Sequence, residues 1–88
     1  MSLQKTLRRL EKLARTAGIA VRYESILAAA PNYPGGLCWL QGKCVVVCEQ
    51  KLPVIDKILV LVRSLQTLGI EVFELDPLVR KLAQKPIS

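Results

Sequence analysis

Two runs of strand-forming residues, separated by a single Gln-Gly pair in the segment GGLCWLQGKCVVVCE, restrict the fold of this chain more than any other feature. A two-residue connection that contains glycine is typical of a tight β-hairpin, because such turns need left-handed backbone that glycine adopts readily. The sequence therefore predicts an antiparallel hairpin over about residues 36–49, with its turn at Gln41 and Gly42.

This hairpin contains all three cysteines, and its register limits what they can do. A turn at the Gln-Gly pair places Trp39 opposite Cys44. Strand alternation then puts Cys44 and Cys48 on one face and Cys38 on the other. Four residues of strand hold Cys44 and Cys48 about 13 Å apart, too far for a disulfide or a shared metal ion. We predict three buried apolar side chains, with Cys38 as the candidate for a reactive thiol.

Histidine is absent from the chain, and this removes several kinds of catalytic site. Neither a Cys-His pair nor a Ser-His-Asp triad can form. A zinc site within one chain lacks its usual ligands, although a site shared between two chains stays open. The seven acidic residues form no pair at a diagnostic helical spacing. We predict no catalytic residue, no cofactor and no metal.

Three segments have the features of helices. Apolar residues at i, i+3, i+4 and i+7 predict an N-terminal helix over about residues 2–17. A long central helix over about 53–68 is apolar around half of its circumference, so it belongs to a core or an interface. A short C-terminal helix over about 77–85 has Asp76 as its cap and Pro77 as its first residue.

Between these helices, residues 19–24 alternate apolar with polar side chains, which predicts a half-buried strand. Residues 70–75 fit either a short strand or an extended connection. The order of elements predicts a single α+β domain over residues 1–88, with a small antiparallel sheet centred on the hairpin.

A cationic stripe lies on the first helix, opposite its apolar face. Its members are Lys5, Arg8, Arg9, Lys12 and Arg15, which fall within an arc of about 120° at ~100° per residue. The whole chain has a formal net charge of +6. An anionic partner would relieve the repulsion within the stripe, so these residues are candidate contacts for nucleic acid; a solvated surface is the alternative.

The apolar content of the chain is high for its length, since 51% of its 88 residues are hydrophobic. A chain this short buries only about 60–65% of its unfolded surface, and a subunit interface adds buried area. We therefore expect a homodimer, formed through the apolar central helix or an edge of the hairpin. No run is long enough to span a membrane, and the first residues lack the apolar core of a secretory signal, so we expect a cytoplasmic protein.

Three segments carry a resemblance that spans nearly the whole chain: LEKLARTAGIAVRYE, GGLCWLQGKCVVVCEQKLPVIDKILVLVRSL and FELDPLVRKL. Together they resemble a group of short, uncharacterised conserved bacterial proteins, in which a glycine pair opens a hairpin and a Leu-Pro motif starts the long helix. No activity is established for that group, so the resemblance implies no activity for this chain.

A more distant similarity is to the core of the ImmA/IrrE-type zinc metallopeptidases, whose long helix carries a His-Glu-x-x-His motif. In the segment KILVLVRSLQT, Arg63, Ser64 and Thr67 stand where the two histidines and the glutamate would be. None of these three side chains can replace a zinc-binding histidine or the glutamate base. The resemblance implies an inactive remnant of that scaffold or a separate use of its topology.

Three hypotheses for function follow. The first is a non-enzymatic interaction or regulatory module that forms a homodimer. The second is a nucleic-acid-associated basic protein that uses its N-terminal helix. The third is a thiol-dependent enzyme or redox protein that uses a cysteine thiolate, for which Cys38 is the candidate.

Overall fold

A computed structural model of the protein describes residues 2–27 and 32–84. The helices are α1 (Leu3–Thr16), α2 (Val54–Thr67) and α3 (Pro77–Ala83), and the strands are β1 (Ala20–Glu24), β2 (Gly35–Leu40) and β3 (Lys43–Glu49). The predicted α+β class, with three helices around a hairpin, is confirmed. The predicted end of the last helix, at residue 85, lies outside the described residues.

The sheet has the order β1-β3-β2 and is mixed, whereas the sequence predicted an antiparallel sheet. β2 and β3 form the expected antiparallel hairpin, but β1 pairs with β3 in parallel, from Ala20 opposite Val45 to Glu24 opposite Glu49. Successive strands reverse direction, so β1 and β3 point the same way. Because β3 takes the central position in the sheet, it becomes the parallel neighbour of β1.

Residues 70–75 form no strand, which decides between the two alternatives for this segment. The amide of Ile70 donates to the carbonyl of Leu65 (2.9 Å), and the amide of Leu75 donates to that of Val72 (3.1 Å). Val72 is almost fully buried at 1% exposure. The segment is therefore a turning connection between α2 and α3 that inserts one apolar side chain into the core.

The helices pack on one face of the sheet, and the register of the hairpin decides which side chains reach them. Trp39 pairs with Cys44 and Cys38 with Val45, as the sequence predicted. Alternation therefore places Val46 and Cys48 on the same face as Trp39. Both are fully buried, in a cluster with the central α2 side chains Ile58, Leu61 and Leu65 and with Leu10 of α1.

A buried polar contact joins the two ends of the chain. The Asp76 carboxylate caps α3, accepting from the amide of Val79 (3.0 Å), and also accepts from the hydroxyl of Thr6 in α1 (2.8 Å). Asp76 is 8% exposed and Thr6 is 1% exposed. The predicted cap of α3 is thus confirmed, and it also fixes α3 against α1.

Candidate functional site

The strand β2 is an edge of the sheet that lacks the usual protection against pairing. Natural edge strands carry charged residues, prolines or bulges that prevent another strand from adding to them. The six residues of β2, GGLCWL, contain neither a charge nor a proline. The opposite edge, β1, contains Arg22 and Glu24, which form an ion pair at 2.7 Å. Within the described residues, β2 is therefore the edge that lacks such protection, and β1 is the edge that has it.

The hydrogen-bonding pattern shows which residues of β2 face outward. The amide of Glu49 donates to the carbonyl of Pro34 (2.8 Å), just before β2 begins. Bonded and non-bonded positions alternate along an antiparallel pair, so Gly35, Leu37 and Trp39 direct their amide and carbonyl groups away from β3. Among the described residues no strand pairs with this outer edge.

The far end of β2 presents large apolar side chains to solvent. Trp39 is 70% exposed and Leu40 is 44% exposed, although both belong to a strand. Trp39 lies on the helix-covered face, beyond the reach of the helices. A hydrophobic side chain with this exposure, on an unprotected edge, is typical of an interaction site.

A groove of about 480 Å³ runs between β2 and α2, at the other end of the same strand. On the sheet side it is lined by Gly35, Gly36 and Leu37 together with Tyr33. The helix side carries the polar residues Asp56, Arg63, Ser64 and Thr67 and the apolar residues Leu59 and Val60. Arg63, Ser64 and Thr67 are the residues that the metallopeptidase resemblance compares with the zinc ligands and the base.

Gly35 brings the strand close to the helix at this groove. Its φ of +147° is a conformation that other residues rarely adopt. A Cβ atom at Gly35 would lie 2.9 Å from the Cα of Cys48 and 3.2 Å from Cγ1 of Val60. Glycine is therefore required here, and its position leaves the inner wall of the groove without a side chain.

The cationic stripe of α1 lies apart from this edge. All five of its members, Lys5, Arg8, Arg9, Lys12 and Arg15, are exposed. None of them forms an ion pair with a described residue. Glu11, which lies beside the stripe, instead accepts a hydrogen bond from the Tyr23 hydroxyl. Arg9 also donates to the carbonyl of Leu75 (3.3 Å), so part of its donor capacity is used within the fold.

The three cysteines occupy different environments. Cys48 is fully buried, and this burial raises the pKa of its thiol to about 11; Glu49 adds to the increase and Lys57 opposes it. Cys38 and Cys44 are only half-buried, on opposite faces of the hairpin, so the prediction of three buried cysteines is correct for Cys48 alone. The structure thus separates Cys38, the candidate reactive thiol, from the other two.

Glu49 is a buried carboxylate, although carboxylates usually lie on the solvated surface. It is 1% exposed, and it accepts from the amides of Ile26, Leu27 and Lys51, each at 2.9 Å. The bond from Leu27, followed by that from Lys51, lowers the pKa of Glu49 below its usual value. Its position at the end of a buried strand, directly before a loop, is the sequence signal for this role.

In the described part of the chain, no three side chains of His, Cys, Asp or Glu converge on a point where a metal ion could bind. No helix within the same residues is long and apolar enough to cross a membrane.

Comparison of the chain with protein-family models, with curated proteins and with solved structures finds no match.

Proposed function

We propose that this protein is a small, cytoplasmic, non-enzymatic interaction module that forms a homodimer through the outer edge of β2. The observation that carries the proposal is an uncharged, proline-free edge strand that ends in a Trp39 side chain with 70% exposure. Addition of a strand to such an edge satisfies its outward amide and carbonyl groups and covers its apolar side chains.

The polar groups of the groove favour binding over catalysis. The Ser64 hydroxyl donates to the carbonyl of Val60 (2.7 Å), and the Thr67 hydroxyl donates to that of Arg63 (2.8 Å). Both hydroxyls are thus engaged within α2, and no hydrogen bond among the described residues joins either of them to a base that would make it a nucleophile.

The test is the molar mass of the protein in solution, measured by size-exclusion chromatography with light scattering between 1 and 100 micromolar, a range chosen for weak to moderate dimers. The wild type should approach the mass of two chains as the concentration rises. Trp39→Lys should remain monomeric, because a charge on an edge strand opposes pairing.

Ala20→Lys is the matched control for this substitution. Ala20 is also an exposed residue of an edge strand, but it lies on β1. This variant should dimerise like the wild type. A wild-type protein that stays monomeric throughout the range would refute the proposed dimer.

A second candidate function is the binding of nucleic acid by the stripe on α1. It is favoured by the five exposed cations, none of which forms an ion pair with a described residue. Phosphate contacts make binding salt-dependent, with a slope of about 0.9 per contact in duplex DNA. Replacing Arg8, Lys12 and Arg15 with Gln should weaken binding to a fluorescent duplex and reduce that slope.

The control for the stripe removes three other exposed cations that lie outside the groove, Lys43, Lys51 and Lys81, in the same way. The net charge then changes equally, but α1 stays intact. Equal loss of binding in the two triple variants would show attraction to the overall charge only, and it would rule out the stripe as a site.

A further inference from the structure

The exposed indole and the groove lie at opposite ends of the same strand, and antiparallel pairing of two copies brings each indole to the other copy's groove. On this basis we infer that the dimer, if the proposed function holds, is centred on Leu37. In it, the Trp39 side chain of each copy fills the groove of the other beside Gly35. The site on each chain is therefore incomplete without a second copy of this chain.

The register follows from the residues that face outward. In a two-fold antiparallel pair centred on Leu37, this residue pairs with its own copy, and Gly35 pairs with Trp39 at both ends. This register engages all three outward-facing residues of each strand. A shift by two residues in either direction leaves one outward residue of each strand without a partner.

The face of the sheet is also consistent with this arrangement. A two-fold axis perpendicular to the sheet keeps both layers of helices on the same side. Trp39 and Gly35 both face that side, because they are separated by an even number of residues. The indole thus meets the one position on this face of the strand that has no side chain, an arrangement in which an aromatic residue compensates for an edge glycine.

The charges in the groove are complementary about the same axis. Asp56 and Arg63 both line the groove, and neither forms an ion pair with a described residue. The two-fold axis sets the two copies of α2 antiparallel, so the first turn of one, which carries Asp56, points toward the half of the other that carries Arg63. Because Arg63 lines the groove, its guanidinium is available to the inserted indole, and such a cation is attracted to the face of an aromatic ring.

The area needed for a stable dimer favours insertion over strand pairing alone. Stable interfaces bury about 800 Å² per partner, which is about one seventh of the 5818 Å² accessible surface of this chain. Pairing of two six-residue strands without insertion leaves the indole and the groove in water. Insertion buries an aromatic side chain of about 150–250 Å² on each side.

Trp39 is the only tryptophan of the chain, so its fluorescence reports directly on the site. Quenching by acrylamide should be strong at concentrations where light scattering finds monomers and should weaken in proportion to the dimer fraction. The emission maximum should shift to shorter wavelength over the same range, as the indole leaves water.

A complementation experiment tests the reciprocal fit. Trp39→Ala removes the indole and leaves the groove open, whereas Thr67→Arg obstructs the groove and keeps the indole. Each variant alone should dimerise at least tenfold more weakly than the wild type. In the mixture, the indole of the second variant enters the open groove of the first, so heterodimers should form with shielded tryptophan emission.

Thr16→Arg is the matched control for the obstructed groove. Thr16 is the last residue of α1, as Thr67 is of α2, and both are exposed and donate to a carbonyl of their own helix. This control should dimerise normally. Circular dichroism of each variant verifies that it is folded.

The outcomes separate the two proposals. A monomeric wild type overturns the dimer itself. A dimer whose tryptophan is quenched as strongly as the monomer's keeps the dimer but overturns the insertion. Tryptophan shielding that does not depend on concentration assigns the groove to a segment of the same chain, and it overturns the insertion as well. A mixture of Trp39→Ala and Thr67→Arg that associates no better than either variant alone also overturns the insertion.

Discussion

At the scale of single residues, Glu49 is a buried polar group held by three backbone amides. Its three backbone hydrogen bonds fix residues 26 and 27 against the end of β3 and stabilise the ionised carboxylate. A lowered folded-state pKa means that this stabilisation is complete above about pH 4.3, the ordinary value for glutamate, and is lost as the pH falls through the folded value.

We therefore expect the urea midpoint of the wild type to fall between pH 7 and pH 3, with Glu49 contributing to the fall. Glu49→Gln should lower the midpoint at pH 7 and make its pH dependence shallower, because an amide oxygen accepts more weakly from these amides. Glu74→Gln is the control, since the Glu74 side chain is 87% exposed. Equal pH profiles for the wild type and Glu49→Gln would contradict this role.

The cysteines give a second prediction at this scale. With a pKa of about 11, only about one Cys48 thiol in a thousand is ionised at pH 8, and the thiolate is the form that reacts. Iodoacetamide should label Cys38 and Cys44, which are half-buried, before it labels Cys48 in the native protein. Mass spectrometry of peptides measures the order. All three should react in urea, and labelling of Cys48 at the native rate of Cys38 would argue against its burial.

At the scale of elements, the contact between Thr6 and Asp76 joins the first helix to the last. Thr6→Val keeps the shape of the side chain but removes the donor to a carboxylate that is only 8% exposed. An unsatisfied buried acceptor costs about 1–3 kcal/mol. Urea unfolding should show a loss of stability within that range.

Two further variants define this effect. Thr6→Ser retains the hydroxyl and should recover part of the lost stability. Thr16→Val removes a hydroxyl that bonds only within α1 at an exposed position, so it should change stability by less than about 0.5 kcal/mol. Similar losses in Thr6→Val and Thr16→Val would show that the contact with Asp76 contributes nothing specific.

The elements that the sequence predicted well are those fixed by neighbouring residues. The Gln-Gly turn determines the register of the hairpin, so the pairing of Trp39 with Cys44 and the two faces of the hairpin are confirmed. The pairing of β1 is a different case. Its partner is distant in sequence, and nothing in residues 19–24 indicates whether it joins β2 or β3, or in which direction.

At the scale of the whole molecule, the candidate site also depends on contacts between residues that are distant in sequence, which the sequence did not predict. The sequence predicted self-association through the central helix or through an edge of the hairpin. In the structure, α2 and the edge strand β2 line the same groove. The strand order decides which strands lie at the edges. In the order β1-β3-β2 the edge strands are β1 and β2, whereas in another order β3 could be an edge strand instead. The burial of Glu49 likewise depends on Ile26 and Leu27, which follow β1 in the sequence and donate to its carboxylate.

The proposed dimer also affects the stability of the whole molecule. A partner that binds only the folded chain raises the thermal midpoint with concentration. For a domain of this size, we expect about 2–5 °C for each tenfold increase in protein concentration. Differential scanning calorimetry at several concentrations measures this slope.

Trp39→Ala should remove most of that slope while leaving the midpoint at the lowest concentration close to the wild-type value. The reason is that the indole is 70% exposed and adds little to the folding of a single chain. Ala20→Lys should keep the wild-type slope, since it alters the other edge. A midpoint for Trp39→Ala that is lowered equally at every concentration would instead mean that the indole stabilises the monomer, so its exposure would no longer indicate an interface.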